Sequence, residues 1–175
     1  MNIVKMVTPF IALSLGACAV LDQSASGPAL ERNAKWGLLP IVNHTDVPQA
    51  GLRAETLTDV LLRAQGIHDL QRYPAALNQD SLFEPTERKV ATEAMNWARG
   101  QGVRYAITGA VEEWRYKVGI DGEPAVGIVL QVIDLQHGDR VLWSAAGAKS
   151  GWSREALSAV AQKEIKELLS AMPLQ

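Results

Sequence analysis

Apolar residues recur along this chain with two different spacings, which predicts both strands and helices. The continuous apolar run from Trp36 to Val42 is typical of a buried strand, and Pro40 within it favours an edge or a strand end. Residues 52–65 have apolar positions at helical spacing, and Gly66 follows them as a helix-ending residue. The predicted apolar stripe of this helix consists of Leu57, Val60, Leu61 and Ala64.

A second strand and a second helix are predicted next. Residues 67–73 are consistent with a strand, and a loop follows from Pro74 to about Leu82. The helix begins near Pro85, because proline suits the first turn of a helix, and it ends at Gly100. Its predicted apolar face consists of Val90, Ala91, Ala94, Trp97 and Ala98.

The following region alternates with the period of strands and predicts a three-stranded meander. Its first strand covers residues 104–118, and the apolar positions change phase near Glu112 and Glu113, which predicts a bulge or a bend. A hairpin turn at residues 119–124 leads to the middle strand, and the third strand covers residues 140–146. The alternating apolar residues of the middle strand are Val126, Ile128, Leu130 and Val132.

The last predicted element is a helix from Arg154 to about Met172. Ser153 suits its N-cap, and Trp152 and Leu157 have the spacing of a hydrophobic staple, which would bury Trp152. Trp152 also lies in a predicted loop, where its indole could instead sit at a membrane interface. The sequence leaves both interpretations of this tryptophan open.

The predicted order of elements is strand, helix, strand, helix, three strands and helix. Five strands and three helices in this order predict a mixed α/β sheet with helices packed against it. We expect residues 35–175 to form a single domain, since the chain has no internal repeat.

The N-terminus has the pattern of a lipoprotein signal peptide. Lys5 supplies a positive charge, a short apolar stretch follows, and Leu15-Gly16-Ala17 precedes Cys18, the single cysteine of the chain. We therefore predict that residues 1–17 are removed and that Cys18 is lipidated, with palmitate among its acyl chains. More than one hydrocarbon chain makes such an attachment stable. The alternative is an ordinary signal peptide beside a bystander cysteine.

Residues 18–34 are predicted to be a lipidated, flexible tether. The segment from Asp22 to Pro28 lacks an apolar period and is rich in residues that break helices and strands. As a flexible coil the tether would span about 20–25 Å, so the domain would lie close to the membrane. Ala19 rather than an aspartate follows Cys18, which favours the periplasmic face of the outer membrane.

Charge and motif content exclude several classes of function. Lys and Arg total 17 and Asp and Glu total 19, and loss of Lys5 with the signal peptide changes the formal charge from −2 to −3. There is no basic excess to indicate binding of nucleic acid. His44, His68 and His137 lack metal-ligand spacing, and the chain has no nucleophile elbow or P-loop. We therefore predict no enzyme activity, no metal and no cofactor.

Four acidic residues cluster around the first hairpin of the meander. They are Glu112, Glu113, Asp121 and Glu123. The cluster is either a solvated hairpin end or an acidic surface for a cationic or hydroxyl-rich ligand. In a regular strand Glu112 and Glu113 would point to opposite faces, unless the bulge intervenes. Trp114 and Tyr116 beside them either face the core or contact sugar rings.

Three segments of the chain carry a resemblance to a known family. They are residues 43–55, residues 111–127 and residues 150–155, and the strings Glu112-Glu113-Trp114-Arg115-Tyr116-Lys117 and Ser150-Gly151-Trp152-Ser153-Arg154-Glu155 are the most distinctive. With them the chain resembles the PelC family, the outer-membrane lipoproteins of Pel exopolysaccharide export. The likeness runs from about Trp36 to the last helix.

The resemblance implies a fold, an assembly and partners. Proteins of this family are non-enzymatic and form a large ring, dodecameric in the family, on the periplasmic side of the outer membrane beneath the porin PelB. The ring presents an electronegative funnel to a cationic polysaccharide of partly deacetylated amino sugars, and outer-membrane lipid is a further partner. The resemblance also implies a domain similar to the N-terminal domain of TolB and to the curli secretion subunit.

The resemblance further implies roles for individual residues. The implied acids of the funnel or its mouth are Glu112, Glu113, Asp121 and Glu123. Trp152 and Arg154 would form a membrane-facing or ring-edge element, and Arg115 and Lys117 would suit salt bridges between subunits. Two alternatives are a subunit of a curli-type protein secretion channel and a periplasmic protein that binds or hydrolyses glycans. The first would need a long amphipathic insertion, which the sequence lacks.

Overall fold

The described part of the chain folds around one mixed sheet of six strands. The computed structural model describes residues 19–25, 27–74, 87–119 and 122–175. Within these ranges, three helices accompany the sheet. The elements are β1 (Ala19–Ala25), β2 (Trp36–Asn43), α1 (Ala50–Ala64), β3 (Leu70–Arg72), α2 (Glu87–Gly100), β4 (Tyr105–Tyr116), β5 (Pro124–Asp134), β6 (Arg140–Ser150) and α3 (Leu157–Ser170).

Strand directions divide the sheet into two distinct ends. The strand order is β1-β6-β5-β4-β2-β3, in which β2 runs parallel to β3 and β4, and the remaining pairs are antiparallel. The strands β2, β4 and β6 therefore finish together at Asn43, Tyr116 and Ser150, which define the upper end of the sheet. They begin together at Trp36, Tyr105 and Arg140, which define the lower end.

The predicted α/β class and the three helices are confirmed, but the prediction of five strands is wrong. The additional strand is β1, which pairs along β6 from Ala19 beside Lys149 to Ala25 beside Trp143. It lies in the range for which we predicted a flexible tether. Residues 20–25 are all exposed, so no alternation of apolar and polar positions marks the strand in the sequence. The likeness to TolB stays a prediction.

The hydrophobic core has two layers, one on each face of the sheet. The larger layer packs α1 and α3 against the sheet, and the smaller one packs α2 against β2 and β5. The larger layer includes the fully buried Trp36, Trp143, Leu62, Leu130 and Ile165. In the smaller layer, Tyr73 and Trp97 meet edge to face with ring centroids 5.3 Å apart. The sheet is therefore covered by helices on both sides, although α2 covers only part of its face.

The predicted apolar stripe of α1 is only partly correct: Leu61 is buried and Leu57 packs against the core, whereas Val60 and Ala64 are exposed. Val60 is 59% exposed, whereas Ala54 and Leu62 are fully buried. The reason is a close approach between α1 and β2: a Cβ at Gly51 would lie 2.1 Å from the carbonyl oxygen of Ile41. Only glycine fits there, so the smallest residues of the helix mark its contact with the sheet. The predicted helix end is confirmed, since Gly66 has a φ of 91°.

The buried carboxylate of Glu55 completes the edge of β2. The register of β2 against β4 shifts between Leu38 and Ile41, and β3 pairs only with residues 36–38. Glu55 Oε1 accepts a hydrogen bond from the Ile41 amide at 3.1 Å, and Glu55 Oε2 lies 2.9 Å from Arg72 Nη2. The side chain therefore supplies the acceptor that a neighbouring strand would supply in a regular sheet.

The predicted bulge in β4 is confirmed by its pairing with β5. The register shifts between Val111 and Glu113, so that Glu112 is the extra residue. Val111 is fully buried and Trp114 is 3% exposed, and both belong to the larger core layer. For Trp114 the core interpretation is therefore correct. The bulge allows Val111 and Trp114 to face the same core layer although two residues, and not one or three, lie between them.

Helix α3 begins later than we predicted. It starts at Leu157 with Ala156 as its N-cap, so the predicted N-cap Ser153 is wrong. Trp152 is 56% exposed, and the hydrophobic staple that would have buried it is not formed. The amide of Leu157 instead donates to Tyr116 Oη at 3.1 Å, and a hydroxyl from β4 thereby satisfies one of the free donors of the first turn.

We predict that Gly109→Ala destabilises the domain, because a Cβ at this position would lie 1.9 Å from the carbonyl oxygen of Val129. The strands would have to move apart, which we expect to lower the free energy of unfolding by about 2 kcal/mol in a urea titration. Gly100→Ala is the matched control, since no atom lies within 4 Å of its Cβ position. An equal stability of the two variants would contradict the close packing of β4 on β5.

Candidate functional site

Three connecting segments meet at the upper end of the sheet. They are residues 44–49 between β2 and α1, the turn between β4 and β5, and residues 151–156 between β6 and α3. Their meeting follows from the parallel course of β2, β4 and β6. The amide of Gly151 donates to the Pro124 carbonyl at 2.8 Å, which joins two of the segments directly.

The bulge in β4 brings Glu112 and Glu113 to the same side of the sheet. Both lie over Gly127 of β5: a Cβ on this glycine would be 3.4 Å from the Cβ of Glu113 and 3.7 Å from that of Glu112. In a regular strand the two side chains would point to opposite faces. The bulge therefore places the two carboxylates side by side, the exception that the sequence analysis allowed. Gly127 has no side chain and leaves room for them.

These two glutamates line a shallow acidic depression of about 610 Å³ at the upper end. Its charged residues are Asp46, Glu112, Glu113 and Arg115, with His44 beside them. His44 Nδ1 lies 2.9 Å from Glu112 Oε1, and Arg115 Nε lies 2.9 Å from Glu113 Oε1. Three carboxylates thus face one guanidinium, so the depression carries a net negative charge.

The loop that carries His44 and Asp46 is held by a compact set of hydrogen bonds. Asn43 Oδ1 accepts from the amide of Thr45 at 3.1 Å and from its hydroxyl at 2.7 Å. Asn43 Nδ2 donates to the Val47 carbonyl at 2.8 Å, and the His44 amide donates to the Val111 carbonyl at 3.0 Å. The loop is therefore tied both to itself and to β4, and it holds one wall of the acidic depression in place.

The remaining predicted acids belong to the hairpin between β4 and β5. Glu123 is exposed, and its Oε2 lies 3.7 Å from Lys117 Nζ, which also donates to Ser150 Oγ at 2.6 Å. Asp121 lies outside the described residues. Lys117 and Arg115, which we predicted to form salt bridges between subunits, thus contact acids of the same chain here. Their contact with another subunit stays a prediction.

Trp152 projects from a tightly bonded loop at the same end. The Trp152 amide donates to Glu155 Oε2 and the Glu155 amide donates to the Trp152 carbonyl, both at 3.0 Å. Lys163 Nζ lies 2.5 Å from Glu155 Oε1. This contact, and to a smaller extent the bond from the Trp152 amide, hold the pKa of Glu155 below its usual range. Arg154 takes a left-handed conformation with a φ of 64°. The loop therefore presents its exposed indole in a defined position.

Two residues of this end make contacts that we did not predict from the sequence. Glu155 is the carboxylate around which the Trp152 loop folds, and Tyr116 Oη donates to the Glu155 carbonyl at 3.3 Å. The bonds between Trp152 and Glu155 span only three residues, whereas the contacts of the loop with Tyr116 of β4 and Lys163 of α3 depend on elements that follow or precede it at a distance in sequence. Among the described residues, no group of three or more metal-ligating side chains is close enough to hold an ion, and no helix is long and apolar enough to cross a membrane.

Comparison with solved structures identifies close relatives of the whole domain. A variant of the PelC dodecamer from Paraburkholderia phytofirmans is 42% identical, with a TM-score of 0.76, over 90% of this chain and 100% of that one. The chain belongs to the PelC family. A second PelC dodecamer from the same organism is 40% identical, with a TM-score of 0.75, over 90% and 99% of the two chains.

More distant structures share the fold alone with this PelC-family chain. Lipoprotein GNA1162 from Neisseria meningitidis is 18% identical, with a TM-score of 0.55, over 79% of this chain and 94% of its own. A scan against protein-family models and a search of curated proteins found no match. The three segments that carried the resemblance to the PelC family lie in or beside the upper end, so the features we used to recognise the family meet at one place in the fold.

We predict that Glu155→Gln loosens the Trp152 loop, because it removes the ion pair with Lys163 and weakens the acceptor for the Trp152 amide. Hydrogen exchange of the Trp152 amide should become faster. Lys166→Gln, which changes a lysine of α3 other than Lys163, should leave this exchange rate unchanged. In the parent protein, the contacts of the Glu155 carboxylate with Lys163 and the Trp152 amide are complete above the ordinary pKa of 4.5. They are lost as the pH falls through the lowered pKa of Glu155. Equal exchange rates in parent and Glu155→Gln would contradict this account.

Proposed function

We propose that the chain is a non-enzymatic, lipid-anchored subunit of a ring that guides a cationic exopolysaccharide to an outer-membrane porin. The observation that supports this most directly is its membership of the PelC family, whose two solved relatives from Paraburkholderia are dodecamers. The identity of 40–42% extends over 90% of the chain, which supports the same assembly here. The porin PelB and a cationic amino-sugar polymer are the proposed partners.

The proposed membrane attachment rests on the N-terminal pattern. Cys18 lies outside the described residues, and its sequence context is that of a lipoprotein processed after residue 17. We place the lipidated protein at the periplasmic face of the outer membrane. The exposed indole of Trp152 at the upper end supports a second contact with lipid, since an apolar ring with one N–H is favoured at the interface between bilayer and water. Arg154 lies in the same loop.

The acidic depression is the proposed contact for the polymer. A cationic amino-sugar chain would be drawn to Asp46, Glu112 and Glu113 by long-range attraction, without tight binding of any single sugar. The depression is shallow and open, which suits a polymer that must move on. Repetition of the same depression around a ring would multiply a modest negative charge into a continuous acidic surface, to which Glu123 and Asp121 would contribute at the hairpin.

The ring is tested by the mass of the complete lipoprotein. We expect the purified, lipidated chain in mild detergent to form a dodecamer by native mass spectrometry, the assembly found for its two solved relatives. Lipidation is read from the same spectrum. A fully lipidated protein that stays monomeric across the whole concentration range would contradict the ring, and an unmodified Cys18 would contradict the anchor alone.

The acidic depression is tested with a matched pair of double variants. Glu112→Gln with Glu113→Gln removes two charges inside the depression, and Asp69→Asn with Glu93→Gln removes two charges that do not line it. We expect only the first pair to weaken binding of a chitosan oligosaccharide, by roughly threefold to tenfold at low salt, because electrostatic attraction is lost. Added salt should reduce the difference. The same loss in both pairs would mean that total charge, and not this depression, attracts the polymer.

A further inference from the structure

Each glutamate of the acidic depression contacts one basic side chain. Arg115 Nε lies 2.9 Å from Oε1 of Glu113, and His44 Nδ1 lies 2.9 Å from Oε1 of Glu112. The two basic groups differ in how they titrate. A guanidinium keeps its charge throughout the physiological pH range, whereas an imidazole gains or loses its proton between about pH 5 and pH 8. The charge beside Glu113 is therefore constant, and the charge beside Glu112 depends on pH.

The net charge of the depression follows from the groups that line it. The loop after β2 contributes His44 and Asp46, and β4 contributes Glu112, Glu113 and Arg115. Strands β5 and β6 contribute small residues that do not titrate. With a neutral imidazole, three carboxylates and one guanidinium leave a formal charge of −2, and protonation of His44 changes it to −1. One proton thus removes half of the net charge that would attract a cation.

The imidazole is held beside Glu112 by the backbone of its own loop. The His44 amide donates to the Val111 carbonyl at 3.0 Å, next to the bulge that turns Glu112 toward the depression. The side chains of His44 and Glu112 are 42% and 49% exposed, so protons and ligands reach both from solvent. Because the bond to Val111 is made by the main chain, a substitution of the imidazole leaves this attachment of the loop to β4 intact.

We propose that His44 is a pH-sensitive switch that weakens the hold of the acidic depression on a cationic chain in mild acid. The proposal rests on the proposed contact between this depression and an amino-sugar polymer. Free amines of such a polymer gain protons as the pH falls, which by itself would strengthen their attraction to fixed carboxylates. The proton that His44 takes up acts in the opposite direction. The switch therefore keeps the polymer able to move on when its own charge rises.

A probe of constant charge isolates the contribution of the protein. The probe is an oligosaccharide of trimethylated chitosan, whose quaternary ammonium groups have no proton to lose. Its binding to the complete lipoprotein in mild detergent is measured at low salt, at about pH 8 and at about pH 5.5, which lie on either side of the range in which histidine titrates. We expect the parent protein to bind about threefold more weakly at the lower pH, because half of the local charge is lost.

Two substitutions of His44 fix the switch in its two states. His44→Gln retains a hydrogen-bond donor but never carries a charge, and His44→Lys is positively charged at both pH values. Each should bring the ratio of the two affinities close to one, and His44→Lys should do so at the weaker affinity. His137→Gln is the matched control, since His137 Nδ1 also contacts a carboxylate, Asp134 Oδ2 at 2.8 Å, but lies at the lower end of the sheet. It should keep the ratio of the parent protein.

Binding must also change the protonation of His44, because linkage is reciprocal. A threefold difference in affinity lowers the midpoint of its titration by about half a pH unit in the complex, so that binding near this midpoint releases about a quarter of a proton per site. Calorimetry in two buffers of different protonation enthalpy measures this release. We expect it in the parent protein and in His137→Gln, and we expect none in His44→Gln.

The outcomes separate the switch from the proposed contact with the polymer. Binding of the probe that does not depend on pH in the parent protein, or an equal pH dependence in His44→Gln, would overturn the switch and leave the contact in place. Loss of the pH dependence in His137→Gln would assign it to the total charge of the protein and would also overturn the switch. If Glu112→Gln with Glu113→Gln binds the probe as well as the parent protein at about pH 8, the contact itself is contradicted, and the switch with it.

Discussion

The bulge in β4 is the constraint on which the core and the acidic depression both depend. One extra residue between Val111 and Glu113 lets Val111 and Trp114 pack into the same layer of the core. The same residue turns Glu112 toward the side of Glu113, above Gly127. A regular strand would have to give up either the burial of the tryptophan or the pairing of the carboxylates. The local irregularity thus serves stability and charge placement together, as bulges beside functional surfaces often do.

Elements whose apolar residues recur with a regular period could be predicted from the sequence. Elements that are fixed by other contacts could not. The middle strand β5 alternates cleanly, and the phase change at Glu112 marks the bulge, because both features are periodic. The stripe of α1 was predicted correctly at Leu57 and Leu61 but not at Val60, because a stripe of large apolar residues is the usual sign of burial. Here Gly51 allows the backbone of the helix to approach β2 closely, which buries Ala54 and leaves Val60 outside.

The parts of the site that escaped prediction depend on contacts between residues distant in sequence. The start of α3 is shifted because Tyr116 and Glu155 organise the turn before it, and a local N-cap rule cannot register a hydroxyl from β4. The acids of the hairpin were recognised, whereas Asp46 and His44 were not placed beside them. Their proximity follows from the parallel pairing of β2 with β4, which the sequence does not state.

The pairing of the first strand with the last has a consequence for the order of folding. Almost the whole sequence of the domain separates β1 from its partner residues 143–149. Their pairing therefore closes one of the longest loops in the chain. During synthesis β1 emerges early and has no partner until β6 has followed. The strand that is made first therefore completes the sheet last, after the strand it pairs with has emerged.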